Sequence, residues 1–309
     1  MNKPLFLLWT DGAEAYRKAI TAAGLDQRIR LEELPRNTTP STAQLQEAEA
    51  MLTWGPPAGT LAQMPKLRWA QALTAGVEHW LARTDLSPSL TLTCARGTHR
   101  VQMPENILGA LFHITKPYAA IVGDNAASTW TRRVSSTLAG QTLGILGLGA
   151  IGQELARKAA ALEMRVIGTR RATGALAHVE RVYTPEETDE VLAQSDFVVL
   201  LLPATPETEN IINATRLARM KKTAWLLNFG RGALIDDAAL VAAAKSGTIA
   251  GAILDVFRQE PLPKDDPFWG TENILVLPHI GGLHPARDSM VAALLVENLR
   301  RFLDGAPLK

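Results

Sequence analysis

The clearest indication of the fold is the segment Thr142-Leu143-Gly144-Ile145-Leu146-Gly147-Leu148-Gly149-Ala150-Ile151-Gly152. An apolar strand runs into three glycines with the spacing Gly-x-Gly-x-x-Gly, and apolar residues then recur at helical spacing. Gly147 would permit the tight turn, Gly149 would let the backbone approach a pyrophosphate, and Gly152 would let helix and strand pack closely. The backbone N–H groups at the helix start, at Ala150 and Ile151, would face the phosphates. The stretch therefore predicts a dinucleotide-binding loop.

Strand and helix patterns alternate along the rest of the chain, which predicts βαβ units around parallel sheets. Strands are predicted at residues 4–9, 30–34, 50–54, 67–72, 90–95, 142–146, 164–168, 196–202, 224–228, 249–255 and 274–277. Helices are predicted after Asp11, over 104–118, after the glycine loop, from Thr184 and over 285–303. Four of the later strands are nearly continuous apolar runs, as expected for strands that are buried on both faces.

A chain of 309 residues is long for a single hydrophobic core and suits two domains. We expect an α/β protein with two Rossmann-like, doubly wound parallel-sheet domains and a cleft between them. Residues 100–281 would form the NAD(P)-binding domain. Residues 1–99 together with 282–309 would form the substrate domain, with hinges near 97–104 and 280–285.

Composition excludes several other classes of function. Apolar residues make up 47% and charged residues 20%, and the formal net charge of +1 indicates neither nucleic acid nor an anionic membrane as a partner. Cys94 is the one cysteine, which rules out a disulfide within the chain and favours a reducing compartment. The apolar stretch 5–9 is too short for a signal peptide, and no metal-ligand cluster is evident. We expect a cytoplasmic protein without a metal.

The end of the predicted strand 164–168 bears on the choice of cofactor. NAD-binding domains place an acidic residue there, to hold the ribose 2′-hydroxyl. Here Thr169 is followed by Arg170 and Arg171, and guanidinium groups suit a phosphate that an acid would repel. The sequence thus predicts NADPH, with NADH less favoured, and places these three residues around the 2′-phosphate. The alternative is that both arginines are simply solvated.

Polar side chains follow three later apolar strands, in the segments Asn228-Phe229-Gly230-Arg231-Gly232, Asp255-Val256-Phe257-Arg258-Gln259-Glu260-Pro261 and Pro278-His279-Ile280-Gly281-Gly282. Ligands of open α/β sheets bind at the carboxyl ends of the strands. An arginine, an acid and a histidine should therefore converge on one edge of the sheet.

Taken together, these motifs resemble the D-isomer-specific 2-hydroxyacid dehydrogenase family over nearly the whole chain. The matching segments are 74–78, 140–152, 202–208, 228–232, 255–261 and 278–282. The segment 96–106 is similar to the glyoxylate and hydroxypyruvate reductase branch, although Pro104 stands where that branch commonly has alanine.

This resemblance implies a role for each of three residues. Arg231 would fork the substrate carboxylate and polarise the keto oxygen. His279 would be the general acid, giving a proton to that oxygen as hydride reaches the carbon. Glu260 would hold the other imidazole nitrogen and favour the charged ring. The alternative for Glu260 is a turn cap before Pro261.

Further binding residues follow from the same resemblance. The backbone N–H groups of Gly76 and Val77 would bind the substrate carboxylate. Trp54 is a candidate wall of the substrate pocket for a different reason, because it follows a predicted strand, and its alternative is an ordinary packing role. Asp255 would contact the nicotinamide amide, with a turn cap as its alternative. Pro203 and Thr205 would line the cofactor cleft.

The predicted function is NADPH-dependent reduction of a small 2-keto acid, such as glyoxylate or hydroxypyruvate, to the D-2-hydroxy acid. A non-catalytic dinucleotide-sensing protein on the same fold is the alternative, and the intact Arg–Glu–His set argues against it. Formate or phosphite oxidation on the same scaffold is disfavoured, because the first strand begins near residue 4 and the long N-terminal extension of formate enzymes is not seen. A phosphoglycerate dehydrogenase is disfavoured because the chain is too short for the usual regulatory extension. The resemblance also implies a homodimer, formed through the cofactor domain and the 104–118 helix.

Overall fold

A computed structural model describes residues 3–172 and 174–309. The described residues form two compact units. One unit consists of the chain up to Thr98 together with His284–Lys309, and the other is His99–Leu283. The strands of both units pair in parallel, which confirms the predicted α/β fold class.

Twelve strands and ten α-helices lie within the described residues. The strands are β1 (Leu5–Trp9), β2 (Arg30–Leu34), β3 (Ala48–Thr53), β4 (Trp69–Ala72), β5 (Thr91–Thr93), β6 (Thr142–Leu146), β7 (Arg165–Thr169), β8 (Arg181–Tyr183), β9 (Phe197–Leu200), β10 (Trp225–Asn228), β11 (Gly251–Leu254) and β12 (Ile274–Val276). The helices are α1 (Ala13–Ala22), α2 (Thr42–Glu47), α3 (Glu78–Leu81), α4 (Gln102–Thr115), α5 (Tyr118–Ala126), α6 (Ala150–Ala161), α7 (Thr188–Gln194), α8 (Ala214–Leu217), α9 (Asp237–Ser246) and α10 (Arg287–Leu303).

The first unit is built on a five-stranded sheet in the order β2-β1-β3-β4-β5. Alternate residues of β1 point to opposite faces, and both faces are buried. Phe6 and Leu8 pack in one apolar cluster with residues of α1 and α10, while Leu5 and Leu7 pack in a second cluster with Trp80. The sheet is therefore covered on both sides, as parallel sheets require.

The second unit is built on a seven-stranded sheet in the order β12-β11-β10-β9-β6-β7-β8. Neighbouring residues such as Val198 and Val199, or Leu226 and Leu227, belong to separate buried clusters on its two faces. From β6 the chain first builds outward through β7 and β8, then returns to β9 on the other side. This reversal between β6 and β9 is the switch point where ligands of doubly wound sheets bind.

The prediction of a single helix over 104–118 is wrong. The chain forms α4, then extended backbone at Lys116, then α5 after Pro117. Proline lacks an N–H group and disfavours helical backbone in the residue before it, which explains the break. Strand β8 was also not expected, because three residues carry little pattern.

The helix start predicted at Thr184 is present in the structure. The carboxylate of Glu187 accepts a hydrogen bond from the backbone N–H of Thr184 at 2.9 Å, which confirms the helix start predicted there. Among the described residues, no helix combines the length and the apolar character that crossing a membrane would require.

Candidate active site

The glycine loop connects β6 to α6 at the switch point of the seven-stranded sheet. Gly147 has a φ of 112°, and a Cβ there would lie 2.8 Å from the carbonyl oxygen of Leu201. A Cβ on Gly152 would lie 2.4 Å from the carbonyl oxygen of Gly147. Both positions thus need glycine for reasons internal to the fold, as predicted for the tight turn and the close helix packing.

Gly149 differs from these two glycines. It caps the N-terminus of α6 with a φ of −81°, and a Cβ there would meet no protein atom within 4 Å. Neither backbone strain nor packing within the chain therefore requires glycine. The open space at Gly149 fits an outside group that must approach the backbone closely, such as the pyrophosphate of a dinucleotide.

The end of β7 lies beside this loop. The backbone N–H of Leu148 donates to the carbonyl oxygen of Thr169 at 2.9 Å, while the N–H of Arg170 donates to the carbonyl oxygen of Tyr183. Arg170 is half-buried and Arg171 is exposed. Both arginines therefore follow the strand next to the glycine loop, at the position where the ribose of a dinucleotide is read.

A compact turn follows β9 on the other side of the switch point. The hydroxyl of Thr208 donates to the carbonyl oxygen of Pro203 at 2.7 Å and accepts from the backbone N–H of Thr205 at 2.8 Å. The pKa of Glu207 lies below its usual range, chiefly because the side chain of Thr205 hydrogen-bonds to it, and in part because of the positive charge of Arg171. Arg171 therefore lies close enough to this turn to act on its electrostatics.

Asn228 organises the turn that carries Arg231. Its amide nitrogen donates to the carbonyl oxygen of Arg231 at 2.9 Å, and its amide oxygen accepts from the backbone N–H of Gly230 at 3.0 Å. A Cβ on Gly232 would lie 2.0 Å from the carbonyl carbon of Phe257, so the turn packs directly on the chain after β11. Arg231 is half-buried, and its Nη1 donates to the carbonyl oxygen of Gly230 at 2.7 Å.

His279 and Glu260 form an ion-pair geometry at the ends of β11 and β12. Nδ1 of His279 lies 2.6 Å from Oε2 of Glu260, and the backbone N–H of Phe257 donates to Oε1 of Glu260 at 2.9 Å. The imidazole side chain is 54% exposed. Because the carboxylate occupies Nδ1, Nε2 is the nitrogen available to a substrate.

The backbone at His279 is held in an uncommon conformation. Its φ of 53° lies in the left-handed region, which costs a non-glycine residue about 1–2 kcal/mol. The carboxylate of Asp255 accepts from the N–H groups of Ile280 at 2.7 Å and Gly281 at 2.8 Å. The side-chain nitrogen of Asn106 donates to the carbonyl oxygens of the same two residues. These four hydrogen bonds fix the loop that carries the imidazole.

Asp255 therefore has a structural task that the sequence assigned only as an alternative. It is 1% exposed, and each of its carboxylate oxygens accepts a backbone hydrogen bond from the Ile280-Gly281 turn. Burial raises its pKa, and those two backbone hydrogen bonds partly offset the rise. This geometry supports the turn cap, and the contact with the nicotinamide amide stays a prediction.

The substrate-binding residues predicted in the first unit lie after β3 and β4. Trp54 follows β3, and the guanidinium carbons of Arg36 and Arg287 lie 5.1 and 4.6 Å from the centre of its ring system. Gly76 and Val77 lie in the loop between β4 and α3 and are partly buried. Among the described residues, no group of three or more His, Cys, Asp or Glu side chains could hold a metal ion.

Two positioning residues were missed at the level of sequence. Asn106 lies on α4 and braces the loop of His279 from a distance of more than 170 residues along the chain. Asn228 stood inside a recognised motif, but nothing in the sequence showed that its amide would bridge both ends of the Arg231 turn. An asparagine two residues before a Gly-x-Gly segment was the available signal in the second case.

These strand ends bring a dinucleotide loop, an arginine turn and a histidine–carboxylate pair to one edge of a parallel sheet, which defines an NAD(P)-dependent oxidoreductase. The family described as D-isomer specific 2-hydroxyacid dehydrogenase, NAD binding domain, matches residues 108–281. The chain is 33% identical over 255 residues to a glyoxylate/hydroxypyruvate reductase B of Cronobacter sakazakii, covering 80% of this chain and 78% of the relative.

Solved structures agree with this assignment. A D-isomer specific 2-hydroxyacid dehydrogenase of Xanthobacter autotrophicus, in complex with NADPH and MES, is 31% identical, with a TM-score of 0.86 and coverage of 100% and 97%. An NADPH-dependent glyoxylate/hydroxypyruvate reductase of Sinorhizobium meliloti, in complex with NADP and sulfate, is 27% identical, with a TM-score of 0.84 and coverage of 99% and 97%. The chain belongs to the D-isomer specific 2-hydroxyacid dehydrogenase family, in its glyoxylate/hydroxypyruvate reductase-like branch.

Proposed function

We propose that this protein reduces a small 2-keto acid, such as glyoxylate or hydroxypyruvate, to the D-2-hydroxy acid with NADPH. The observation that carries the proposal is the 2.6 Å pair of His279 and Glu260, which follows strands on the same sheet edge as the glycine loop. Reduction of a keto group needs a hydride donor, a proton donor and a group that holds the carboxylate. The chain offers residues suited to the last two tasks and a glycine loop that fits the dinucleotide.

His279 is the proton donor in this account. Glu260 accepts at Nδ1 and stabilises the imidazolium, so that Nε2 gives a proton to the keto oxygen as the carbon is reduced. In the reverse direction the neutral ring takes the proton back from the hydroxyl group. The bound dinucleotide supplies the hydride. The left-handed backbone at His279 and the hydrogen bonds to Asp255 keep the ring in place between turnovers.

Arg231 binds the substrate carboxylate in this account. A guanidinium presents parallel N–H donors that match the two oxygens of a carboxylate, and its charge also stabilises negative charge that develops on the keto oxygen. The turn held by Asn228 fixes where this side chain starts. We propose that the backbone N–H groups of Gly76 and Val77 make further contacts to the carboxylate, and that Trp54 limits the size of the substrate.

NADPH is the proposed cofactor because the ribose position has two arginines and no acid. Arg170 and Arg171 follow β7 directly, and Thr169 ends that strand. A 2′-phosphate would be bound there by charge-assisted hydrogen bonds, whereas a bare 2′-hydroxyl would lack the usual carboxylate acceptor. Ala150 and Ile151, at the start of α6, would face the pyrophosphate, and Pro203 and Thr205 would line the cofactor cleft.

A second copy of this chain is the proposed partner. Trp130 and Val134 are 92% and 97% exposed, and Tyr118 and Val122 of α5 are each 68% exposed. Apolar side chains clustered along one segment in this way mark an interaction surface. A homodimer formed through the second unit would cover these side chains. We expect a Trp130→Ser, Val134→Ser variant to be monomeric, and sedimentation measures its oligomeric state.

The compartment is a separate proposal. The chain has one cysteine and so forms no disulfide within itself, which suits a reducing compartment, and we further propose that the protein acts in the cytoplasm.

A non-catalytic sensor of dinucleotides is the competing function. It would not need a proton donor, a carboxylate partner for that donor and a substrate arginine, all of which this chain retains. The deciding experiment is a steady-state comparison of NADPH with NADH over a panel of 2-keto acids. Turnover of glyoxylate or hydroxypyruvate with a preference for NADPH supports the proposal. Tight dinucleotide binding without turnover of any keto acid would favour the sensor.

A further inference from the structure

Arg287, the first residue of α10, makes contacts that neither the sequence motifs nor the proposed chemistry explain. Its Nη2 donates to the carbonyl oxygen of Leu73 at 2.6 Å, and its Nη1 donates to Asp288 at 2.7 Å. Its guanidinium carbon lies 4.6 Å from the centre of the Trp54 ring. The side chain is 14% exposed, so these contacts are made largely away from water.

Two of the groups that Arg287 contacts are connected to predicted substrate binding. The Trp54 ring is itself a predicted binding residue, and the Leu73 carbonyl leads into others. Leu73 follows β4 and precedes the loop that contains Gly76 and Val77. The rest of that loop is tied down locally, since the carbonyl of Thr74 accepts from the N–H of Ala95 and its hydroxyl donates to the carbonyl of Gly76. The Leu73 carbonyl is the point where α10 sets the position of the loop.

The guanidinium is itself oriented by the carboxylate of Asp288, which the hydroxyl of Tyr16 holds in turn. The hydroxyl of Tyr16 donates to the same Asp288 oxygen that accepts from Arg287, at 2.9 Å, and Tyr16 is almost fully buried in α1. One end of the arginine fork is thus fixed, which leaves the other end aimed at Leu73. A less buried arginine, Arg36, lies over the same tryptophan ring at 5.1 Å. Cation–π contacts are stronger where the cation is desolvated, so Arg287 is the more important of the two.

We propose that Arg287 is a positioning residue for substrate binding, which fixes the 74–77 loop through the Leu73 carbonyl and the Trp54 ring through stacking. This inference rests on the proposed function for its kinetic consequence. Arg287 touches no reacting atom in this account. Its loss should therefore weaken the binding of the keto acid much more than it slows the chemical step or weakens the binding of NADPH.

The kinetic test compares Arg287→Met, Arg287→Lys and Arg36→Met with the wild-type protein. For Arg287→Met we expect the KM for the keto acid to rise about tenfold or more, with kcat and the KM for NADPH changed less than about threefold. Lysine supplies one point donor rather than a fork, so Arg287→Lys should lie between Arg287→Met and wild type. Arg36→Met removes only an exposed stacking contact and should raise the KM less than Arg287→Met does.

A second readout does not depend on turnover. Amide hydrogen exchange, followed by mass spectrometry, should become faster in peptides that cover residues 73–80 in Arg287→Met, with exchange in the glycine loop unchanged. If wild type turns over no keto acid, the proposed function fails, while this exchange experiment still tests whether Arg287 fixes the 74–77 loop. Wild-type KM and unchanged exchange over 73–80 in the Met variant would overturn the inference. If the Met variant does not fold, the Lys variant decides the matter by the same two measurements.

Discussion

Nδ1 of His279 lies 2.6 Å from Oε2 of Glu260, and the other oxygen of that carboxylate accepts from the backbone N–H of Phe257 at 2.9 Å. The carboxylate is therefore anchored to its own turn while it orients the imidazole. This arrangement determines which ring nitrogen faces a substrate. It also gives the imidazolium a fixed counter-charge during proton transfer.

Replacement of Glu260 by glutamine should slow turnover without weakening cofactor binding. The amide still fits the turn and can accept from Phe257, but it cannot stabilise an imidazolium by charge, so we expect kcat to fall on the order of 100-fold or more. Glu260→Asp keeps the charge on a shorter side chain and should lose less. Steady-state kinetics of both variants provide the measurement, and equal kcat values for wild type and Glu260→Gln would show that the pair is only structural.

Cofactor preference should depend on the two arginines after β7. The double variant Arg170→Ala, Arg171→Ala should raise the KM for NADPH by about tenfold or more and change that for NADH little, because only NADPH offers a phosphate to these groups. Arg219→Ala, an exposed arginine on the same unit, is the matched control. Equal losses with both cofactors would refute the assigned phosphate contact.

A change at Glu207 should strengthen NADPH binding, whereas the loss of the two arginines should weaken it. The pKa of Glu207 is lowered chiefly by the hydrogen bond from Thr205 and to a smaller extent by the charge of Arg171, so this carboxylate is a negative charge near the arginine. Glu207→Gln should therefore lower the KM for NADPH modestly and leave that for NADH unchanged. A rise in the KM for NADPH would mean that Arg171 does not act on the phosphate.

Two glycines of the loop should respond differently to alanine. Gly149→Ala adds a Cβ that meets no protein atom, so the variant should unfold at the wild-type temperature yet bind NADPH much more weakly. Gly152→Ala places a Cβ 2.4 Å from the carbonyl oxygen of Gly147 and should destabilise the fold by about 1–3 kcal/mol. Thermal unfolding and fluorescence titration with NADPH measure both effects. Undiminished NADPH affinity in Gly149→Ala would contradict the close approach of a pyrophosphate.

The first unit should show a pH-dependent ion pair at Asp85. The guanidinium of Arg83 donates to this carboxylate and, together with the backbone N–H of Leu61, holds its pKa below the usual value. A lowered pKa in the folded state means that the ionised carboxylate stabilises the fold above about pH 4, and that this stability is lost as pH falls through the lowered pKa.

Asp85→Asn should accordingly lower the free energy of unfolding by about 1–3 kcal/mol at pH 7. The difference between variant and wild type should shrink as the pH is lowered towards 3. Urea unfolding at several pH values, followed by tryptophan fluorescence, measures it. A difference that stays constant over this pH range would show that the charge of Asp85 does not contribute.

Much of the second unit could be predicted from the sequence because its signals are local. The strand Thr142–Leu146, its glycine turn and the following helix each follow from residue types within a few positions. The polar residues after β10, β11 and β12 could be placed on one edge, because the carboxyl ends of parallel strands always share an edge. That geometric rule holds without any knowledge of side-chain positions.

The remaining features depend on contacts between distant parts of the chain. Asn106 reaches the loop of His279 from α4, and Arg287 reaches Leu73 from α10, and neither spacing leaves a pattern in the sequence. Asp255 shows the same limit, although the sequence placed it correctly at a strand end. Only the structure shows its two oxygens turned toward backbone N–H groups. The prediction of one helix over 104–118 was wrong since its apolar pattern hid the break at Pro117.

The proposed function depends above all on His279, which we propose supplies the proton for reduction of a 2-keto acid. The most direct measurement is the rate of NADPH oxidation in the presence of glyoxylate or hydroxypyruvate, for wild type, His279→Ala and the exposed-histidine control His113→Ala. We expect wild type and the control to turn over, and His279→Ala to lose about 10²- to 10⁴-fold in kcat while it binds NADPH normally. Wild-type turnover in His279→Ala, or no turnover of any 2-keto acid by the wild-type protein, would contradict this proposal.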